Sequence, residues 1–435
     1  MKMRGTKYFS PPNPRSVVSF SALLILIVLC AFAQSPDKTR SYEALPLSRW
    51  QEDIRFLADT LFLKHVNAFH TRSQRELEES ARAMSERISR LSPTDRVVEF
   101  ARFLALVGDG HTRMWLYERP KGFHPIQFGR YPIRVYWFEE GLFIVGASPK
   151  YSSLLGARVD SIGKISAAEA LARVGSLISH DNSQGVLQYS PIYLTTPEVL
   201  HALGLCERDY SALWTVTTVD GGKTNVSLEP ASANDPVQYL TSGAFSGERI
   251  FQEPGPFAMK QIQGSVVVQI NQMSDSAGRK LLSFTNEVLA VIDSSKAKRL
   301  VIDFRYNSGG NATLIRPFIE ELAKRPVLNR RGGLFLLIER ATFSAALWNA
   351  LDLQRKTNII LIGNPTSGKP NGFGETDEFV LPNTGLRFSV ATRFNQRSTP
   401  DDSRPWLSPD VTVPLSFRDA MKGQDRVLET AVGWK

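Results

Sequence analysis

The sequence predicts an α/β fold, and three observations carry that reading. Between Leu300 and Glu375 short apolar runs alternate with helical spacing and Gly-rich turns, residues 47–106 keep helical spacing, and residues 131–228 are dominated by short strands. With 42% hydrophobic and 22% charged residues the 435-residue chain has an ordinary globular composition. That excludes a disordered chain and a multi-span membrane protein, and the length predicts two or three domains.

Lys2, Arg4, Lys7 and Arg15 precede an apolar run over residues 17–29, and Ala31-Phe32-Ala33 offers a small-x-small cleavage site before Gln34. The run is short for a spanning helix, so residues 1–33 read as a cleaved secretory signal and the mature chain as periplasmic or extracellular. Cleavage removes four basic residues and no acidic one, leaving +5 of the formal charge of +9. No basic cluster with interleaved aromatics points to nucleic acid. Cys30 lies in the signal and leaves Cys206 alone, without an intrachain disulfide or a zinc knuckle. No metal constellation and no nucleotide-binding glycine pattern is visible, and no cofactor is expected.

Residues 34–45 read as a linker, because the stretch from Ser35 to Pro46 is mostly polar with a proline near each end. Residues 46–118 read as a helical N-terminal subdomain. Trp50, Ile54, Leu57 and Leu61 recur at three- and four-residue spacing, as do Leu77, Ala81, Met84, Ile88 and Leu91, and Ser92 is an N-cap before Pro93. This part ends in Gly108-Asp109-Gly110-His111-Thr112-Arg113, where His111 is the one histidine in a suggestive setting. His65, His70, His124, His180 and His201 have no motif around them and read as structural or surface residues. Residues 119–256 read as a β-rich module, with strands at 133–137, 142–145 and 157–162 and a hairpin, 214–219 with 225–228, across Asp220-Gly221-Gly222. The Gly/Pro/Ser-rich stretch 231–256 marks a boundary before the core, residues 257–435.

In the core, Leu300, Val301, Ile302 and Phe304 form a buried strand, Arg305-Tyr306-Asn307-Ser308-Gly309-Gly310-Asn311 turns sharply, and residues 314–323 resume helical spacing. A second strand, 334–338, leads into Thr342-Phe343-Ser344-Ala345-Ala346-Leu347 and a helix. Ser344 thus stands at a strand-to-helix junction, where a reacting carbonyl would meet free N–H groups and the positive end of a helix dipole. A third strand, 358–362, is followed by Gly363-Asn364-Pro365-Thr366-Ser367-Gly368-Lys369-Pro370, too rich in Gly and Pro to continue any regular element. Residues 378–381 and 386–390 form a hairpin across Pro382-Asn383-Thr384-Gly385, and 425–432 is a last helix. Asp303 and Arg305 read as a structural pair.

Asp303-Phe304-Arg305-Tyr306-Asn307-Ser308-Gly309-Gly310 resembles the Asp-Leu-Arg-x-Asn-x-Gly-Gly turn of the tail-specific (C-terminal processing) serine proteases, peptidase family S41. Phe343-Ser344-Ala345-Ala346 is similar to the nucleophile segment of that family, and Gly363-Asn364-Pro365-Thr366-Ser367-Gly368-Lys369 to its Gly-Glu-Pro-Thr-x-Gly-Lys loop. Ser344 and Lys369 are 25 positions apart, which matches the dyad interval of the family. The resemblance implies a ClpP/crotonase-like core with an N-terminal helical subdomain and a degenerate PDZ-like module. The trace of that module is Leu155-Gly156-Ala157-Arg158-Val159-Asp160-Ser161-Ile162-Gly163-Lys164, without a recognisable carboxylate-binding loop.

The resemblance further implies an exported serine-type endopeptidase acting on polypeptides. Ser344 would be the nucleophile and Lys369 the general base, with the N–H of Ala345 and that of Gly309 or Gly310 forming the oxyanion hole. A lysine serves as base only when desolvation lowers its ordinary pKa of about 10.4, and Pro365, Pro370, Phe373 and the strand ending in Ile362 are apolar enough to do so. Some relatives place a catalytic histidine in an Asp-x-His segment, which makes His111 the competing base, with Glu375 or Asp410 behind it. Leu347, Asn364 and Phe373 stand where the family often carries Glu, Glu and Gln. With those polar partners replaced, a catalytically weak or inactive peptide-binding protein on the same scaffold is the third reading.

Overall fold

The structure, a computed structural model, describes residues 42–114, 116, 128–231, 237–241, 245–246, 249–251, 253, 255–276 and 278–435. The expected signal at 1–33, most of the linker at 34–45 and His124 lie outside the described residues.

Three helices come first: α1 (Leu47–Lys64), α2 (Gln74–Arg87) and α3 (Pro93–Ala105). Ser73 and Glu76 form a reciprocal capping box on α2, and Ser92 accepts the Asp95 N–H ahead of Pro93 on α3. The short strand β1 (Arg113–Met114) follows. Then come β2 (Ile133–Phe138), β3 (Gly141–Ala147), β4 (Arg158–Ile162), β5 (Ile165–Ser166), α4 (Ala167–Gly175), α5 (Ser183–Leu194), α6 (Pro197–Ala202), β6 (Ala212–Thr217), β7 (Lys223–Leu228) and β8 (Leu240–Thr241). Their strands make an antiparallel seven-stranded sheet with the path β2-β3-β4-β6-β7, β5 pairing with β4 and β8 with β3. One apolar core joins Trp50 and Leu61 of α1, Phe100 of α3, Ile133 and Ile144 of this sheet, and Phe388 and Val390 from far along the chain. The helical and β-rich parts bury each other's apolar faces, as two packed layers must.

After a short pairing of β9 (Phe245–Ser246) with β10 (Arg249–Ile250), the chain builds its second unit of packing. In order it comprises β11 (Phe257–Ile262), β12 (Ser265–Ile270), α7 (Leu281–Ser295), β13 (Leu300–Asp303), α8 (Arg316–Ala323), β14 (Leu334–Ile338), α9 (Ala345–Lys356), β15 (Ile360–Gly363), β16 (Asn371–Val380), β17 (Arg387–Gln396), β18 (Val411–Thr412), α10 (Phe417–Met421) and α11 (Arg426–Val432). A six-stranded sheet runs β11-β12-β13-β14-β15-β18, parallel except for β11. Its inner strands β13, β14 and β15 are fully buried and almost wholly apolar because both faces are covered. Val266, Val268, Leu300, Ile302, Leu334 and Leu336 face α7, α8 and α9, while Val267, Val301, Phe335 and Leu337 face Val427 and Ala431 of α11. The alternation is the period-2 signature of a strand, read here on two buried sides.

Arg305 fastens α11 to the sheet, donating to Asp303 Oδ2 at 2.7 Å and to both carboxylate oxygens of Asp425 at 2.8 Å. The β16–β17 hairpin is longer than its apolar signal: pairing continues from Phe379↔Phe388 out to Asn371↔Gln396. Residues 375–378 in that extension are exposed and polar, so backbone hydrogen bonding continues where hydrophobic alternation has stopped.

Candidate active site

The parallel strands β12 to β15 end at one edge of the sheet, the usual place for chemistry in an α/β fold. There the turn after β13, the loop between β14 and α9, and the loop after β15 come together. Thr342 Oγ1 donates to Phe304 O at 2.8 Å, and the Phe343 N–H donates to Asn307 O at 3.1 Å, so the loop carrying Ser344 is held against the glycine turn. Ser344 is the residue ahead of α9, with φ 51° and ψ −125°, a conformation costly for any non-glycine residue. Its carbonyl accepts the Trp348 N–H at 3.0 Å and starts the helix.

Gly309, with φ 114°, presses against this serine: a Cβ there would lie 2.7 Å from Ser344 Cβ and 3.1 Å from Ala345 N. Its own N–H donates to Asn307 Oδ1 at 3.0 Å, and Asn307 Nδ2 donates to Ile270 O at 2.9 Å. Gly309 was one of the expected oxyanion donors, but its N–H is occupied in holding the turn. The N–H groups of Gly310 and Ala345 have no hydrogen-bond acceptor among the described residues.

His111 arrives from the other packing unit. β1 pairs with β17 through Arg113↔Ser389 and Met114↔Phe388. Ser389 Oγ donates to His111 O at 2.8 Å, and Thr112 Oγ1 accepts the Ala391 N–H at 3.0 Å. Two carboxylates clamp the loop ahead of β1: Asp109 Oδ1 accepts the His111 N–H, and Asp181 Oδ1 the Gly110 N–H, each at 2.8 Å. The imidazole stacks on Phe343, ring centres 4.5 Å apart, and its Nε2 lies 3.1 Å from Ser344 Oγ across 233 residues of sequence. Among the described residues the buried Nδ1 has no hydrogen-bond partner; Asp109 Oδ1 stands 3.7 Å away.

Lys369 is not part of this pairing. With His70, Asp181, Phe373 and Phe394 it lines a cleft of about 390 Å³ to which neither Ser344 nor His111 contributes. It makes no hydrogen bond or ion pair to Ser344 or to any other described residue. The expected Ser344–Lys369 contact therefore differs from the observed Ser344–His111 contact. Gly368 packs on Phe343 and Leu347 and directs the next residue to the cleft, while strand pairing by β1 delivers the histidine. Glu375 is exposed and faces Arg393 at 3.8 Å, and Asp410 accepts the Leu361 N–H at 2.8 Å, so neither acid stands behind His111. At the positions that depart from the family motif, Leu347 is buried in the sheet core and Phe373 packs between His65 and His70, ring centres 4.9 and 4.4 Å away. Asn364 donates to Glu339 Oε2 at 2.9 Å.

The acid beside the imidazole is Asp109, which the sequence offered as the Asp of Gly-Asp-Gly-His but which sequence reasoning left without a role. Its side chain is fully buried, and Oδ2 lies 3.2 Å from His65 Nε2. Burial alone would push its carboxyl up, but the His111 and His65 imidazoles outweigh that and hold it well below the usual carboxylate range. Asp181 moves the opposite way: burial, then the charge of Asp109, push it up against the opposing pull of His111, the Gly110 N–H and Lys369. Among the described residues no group of three or more His, Cys, Asp or Glu side chains is placed to hold a metal ion.

The backbone as a whole superposes on CPAF. CPAF in complex with lactacystin aligns with a TM-score of 0.61 at 12% identity, covering 89% of this chain and 99% of that one. A CPAF mutant aligns at 0.62 and 13% identity over 89% and 96%. CPAF is a member of the tail-specific (S41) serine protease family. The chain has the S41 protease fold. No family model matches the sequence, and no curated protein is significantly similar to it. At this identity the S41 fold is carried by the layout of strands, helices and turns rather than by side chains.

Proposed function

We propose that this chain is an exported serine-type peptidase that cleaves polypeptides through an acyl-enzyme on Ser344, with His111 rather than Lys369 as general base. The observation that carries the reading is the 3.1 Å contact between His111 Nε2 and Ser344 Oγ at the start of a helix, beside two unoccupied N–H groups. Nucleophile, base and oxyanion donors are the three requirements of acyl transfer.

As Ser344 Oγ bonds to the scissile carbonyl carbon, Nε2 takes its proton, and the carbonyl electron pair moves onto an oxygen held by the Gly310 and Ala345 N–H groups. The imidazolium then protonates the leaving amine, and a water activated by the same nitrogen releases the acyl group. Ser344's left-handed backbone serves this chemistry by projecting Oγ ahead of the helix. Export rests on the basic and apolar leader at 1–33; no helix of the described residues is long and apolar enough to cross a membrane.

The test compares peptide hydrolysis and fluorophosphonate labelling in three variants. Ser344→Ala abolishes labelling and lowers kcat by at least roughly 10³-fold, and His111→Ala lowers kcat by roughly 10²–10⁴-fold. Lys369→Ala stays within about threefold, a difference of less than ~0.7 kcal/mol in the barrier. A folded wild-type protein that takes up no label overturns the hydrolase reading, and loss of activity in Lys369→Ala with retention in His111→Ala returns the base to Lys369.

A further inference from the structure

We infer that a buried acid–imidazole pair, Asp109 held by His65, selects the ring tautomer of His111 that leaves Nε2 free to receive the Ser344 proton. This rests on the reading of Ser344 and His111 as nucleophile and base, and it adds two positioning residues to them.

The Asn67 N–H donates to His65 Nδ1 at 3.0 Å, and a backbone N–H cannot accept. Nδ1 of His65 is therefore the bare nitrogen, the ring proton sits on Nε2, and it is donated to Asp109 Oδ2 at 3.2 Å. Asp109 is thereby oriented: Oδ2 is engaged by His65, and Oδ1 accepts the His111 backbone N–H at 2.8 Å. The same Oδ1 is the acid oxygen that faces His111 Nδ1, at 3.7 Å, and among the described residues that buried nitrogen has no hydrogen-bond partner.

A neutral imidazole carries one ring proton. Placed on Nε2, it would point at Ser344 Oγ and leave a bare Nδ1 facing a carboxylate oxygen. Placed on Nδ1, it faces the carboxylate, and Nε2 presents its lone pair to the hydroxyl. The second arrangement is electrostatically favoured and is the one in which His111 acts as a base. Free histidine prefers the other tautomer, so Asp109 must supply the bias. Burial of Asp109 and His65, both fully enclosed, keeps water from competing for these positions. The other charged groups around the pair are Asp181, bonded to Gly110, and Lys369 beyond it in the cleft.

The experiment reads ring-nitrogen chemical shifts of ¹⁵N-histidine-labelled full-length protein near pH 8, together with steady-state peptide hydrolysis. In the wild type the expected result is a proton on Nδ1 of His111 and on Nε2 of His65. Asp109→Asn and His65→Leu both move His111 towards the Nε2 tautomer. kcat falls on the order of 10⁴-fold in Asp109→Asn and roughly tenfold in His65→Leu, the scale of one hydrogen bond to a charged group, with KM within about twofold in each. His65→Gln, which can still reach Asp109 with an N–H donor, keeps the Nδ1 tautomer and rescues most of kcat; it also carries the test if His65→Leu does not fold. A wild-type His111 protonated on Nε2, or a tautomer unchanged in both Asp109→Asn and His65→Leu, overturns the inference. Tautomers that respond as stated in a protein without Ser344-dependent hydrolysis uphold the coupling and overturn the peptidase reading instead.

Discussion

Replacing Gly309 by alanine tests whether the glycine turn and Ser344 form one rigid unit. The added Cβ would stand 2.7 Å from Ser344 Cβ, 3.1 Å from Ala345 N and 3.2 Å from Phe343 O, and the backbone at φ 114° is itself closed to alanine without strain. Backbone strain of this kind costs about 1–3 kcal/mol, and overpacking against atoms that cannot swing away a further ~1–3 kcal/mol. The sum is roughly 2–6 kcal/mol of lost stability, or a shift of the turn that relieves it. Any such shift separates the Gly310 and Ala345 N–H groups, the oxyanion donors proposed above, and losing one such donor costs roughly 10²–10³-fold in kcat. Gly385→Ala is the matched control: φ is 72° there, and nothing lies within 4 Å of the added Cβ. It retains the strain of a left-handed residue and omits the collision, for a cost of about 1–2 kcal/mol. The measurements are urea unfolding midpoints and fluorophosphonate labelling rates for both variants. A Gly309→Ala protein as stable as Gly385→Ala, with a normal labelling rate, would refute the idea that this turn is pressed against Ser344.

Arg305→Ala leaves Asp303 and Asp425 as uncompensated buried charges and should destabilise by about 3–5 kcal/mol. Arg75→Ala, which breaks an exposed pair with Glu79, should cost less than ~1 kcal/mol, and equal unfolding midpoints for the two would contradict the burial argument. The raised carboxyl of Asp181 means that the folded chain holds this proton more tightly than the unfolded one. Its contribution to stability is therefore lost as pH rises above the ordinary carboxylate value through the raised one. Asp181→Asn keeps the oxygen that accepts the Gly110 N–H, so it should melt above the wild type at pH 7, with the gap closing near pH 3; a gap independent of pH would reject the assignment.

The helices and the apolar core strands were legible because their signals are local. Trp50, Ile54, Leu57 and Leu61 share one face of a helix, and all four are buried as their spacing requires. β13 and β14 read as continuous apolar runs because both faces are covered, and Ser92-Pro93 announces a helix start that the structure caps as written. The outer half of the β16–β17 hairpin left no such trace, since a solvent-exposed ladder is held by backbone bonds that any residue can make. Within the site, the turn at Gly309 and the serine at a helix start were visible from Gly-Gly and from the strand-to-helix change. His65 was invisible: its contact with Asp109 joins residues 44 apart in sequence, with no motif around either imidazole nitrogen.

By itself the sequence determined where strands stop and helices begin, hence that Ser344 would head a helix beside a glycine turn, because hydrophobic period, Gly and Pro act over a few residues. Which basic side chain reaches that hydroxyl was decided only by tertiary structure. Lys369 had the familiar interval and His111 lay more than two hundred residues away. The pairing of β1 with β17 and the carboxylate clamps of Asp109 and Asp181 brought the imidazole to 3.1 Å. An interval along the chain limits how far two groups can be separated, whereas packing sets the direction in which each side chain points.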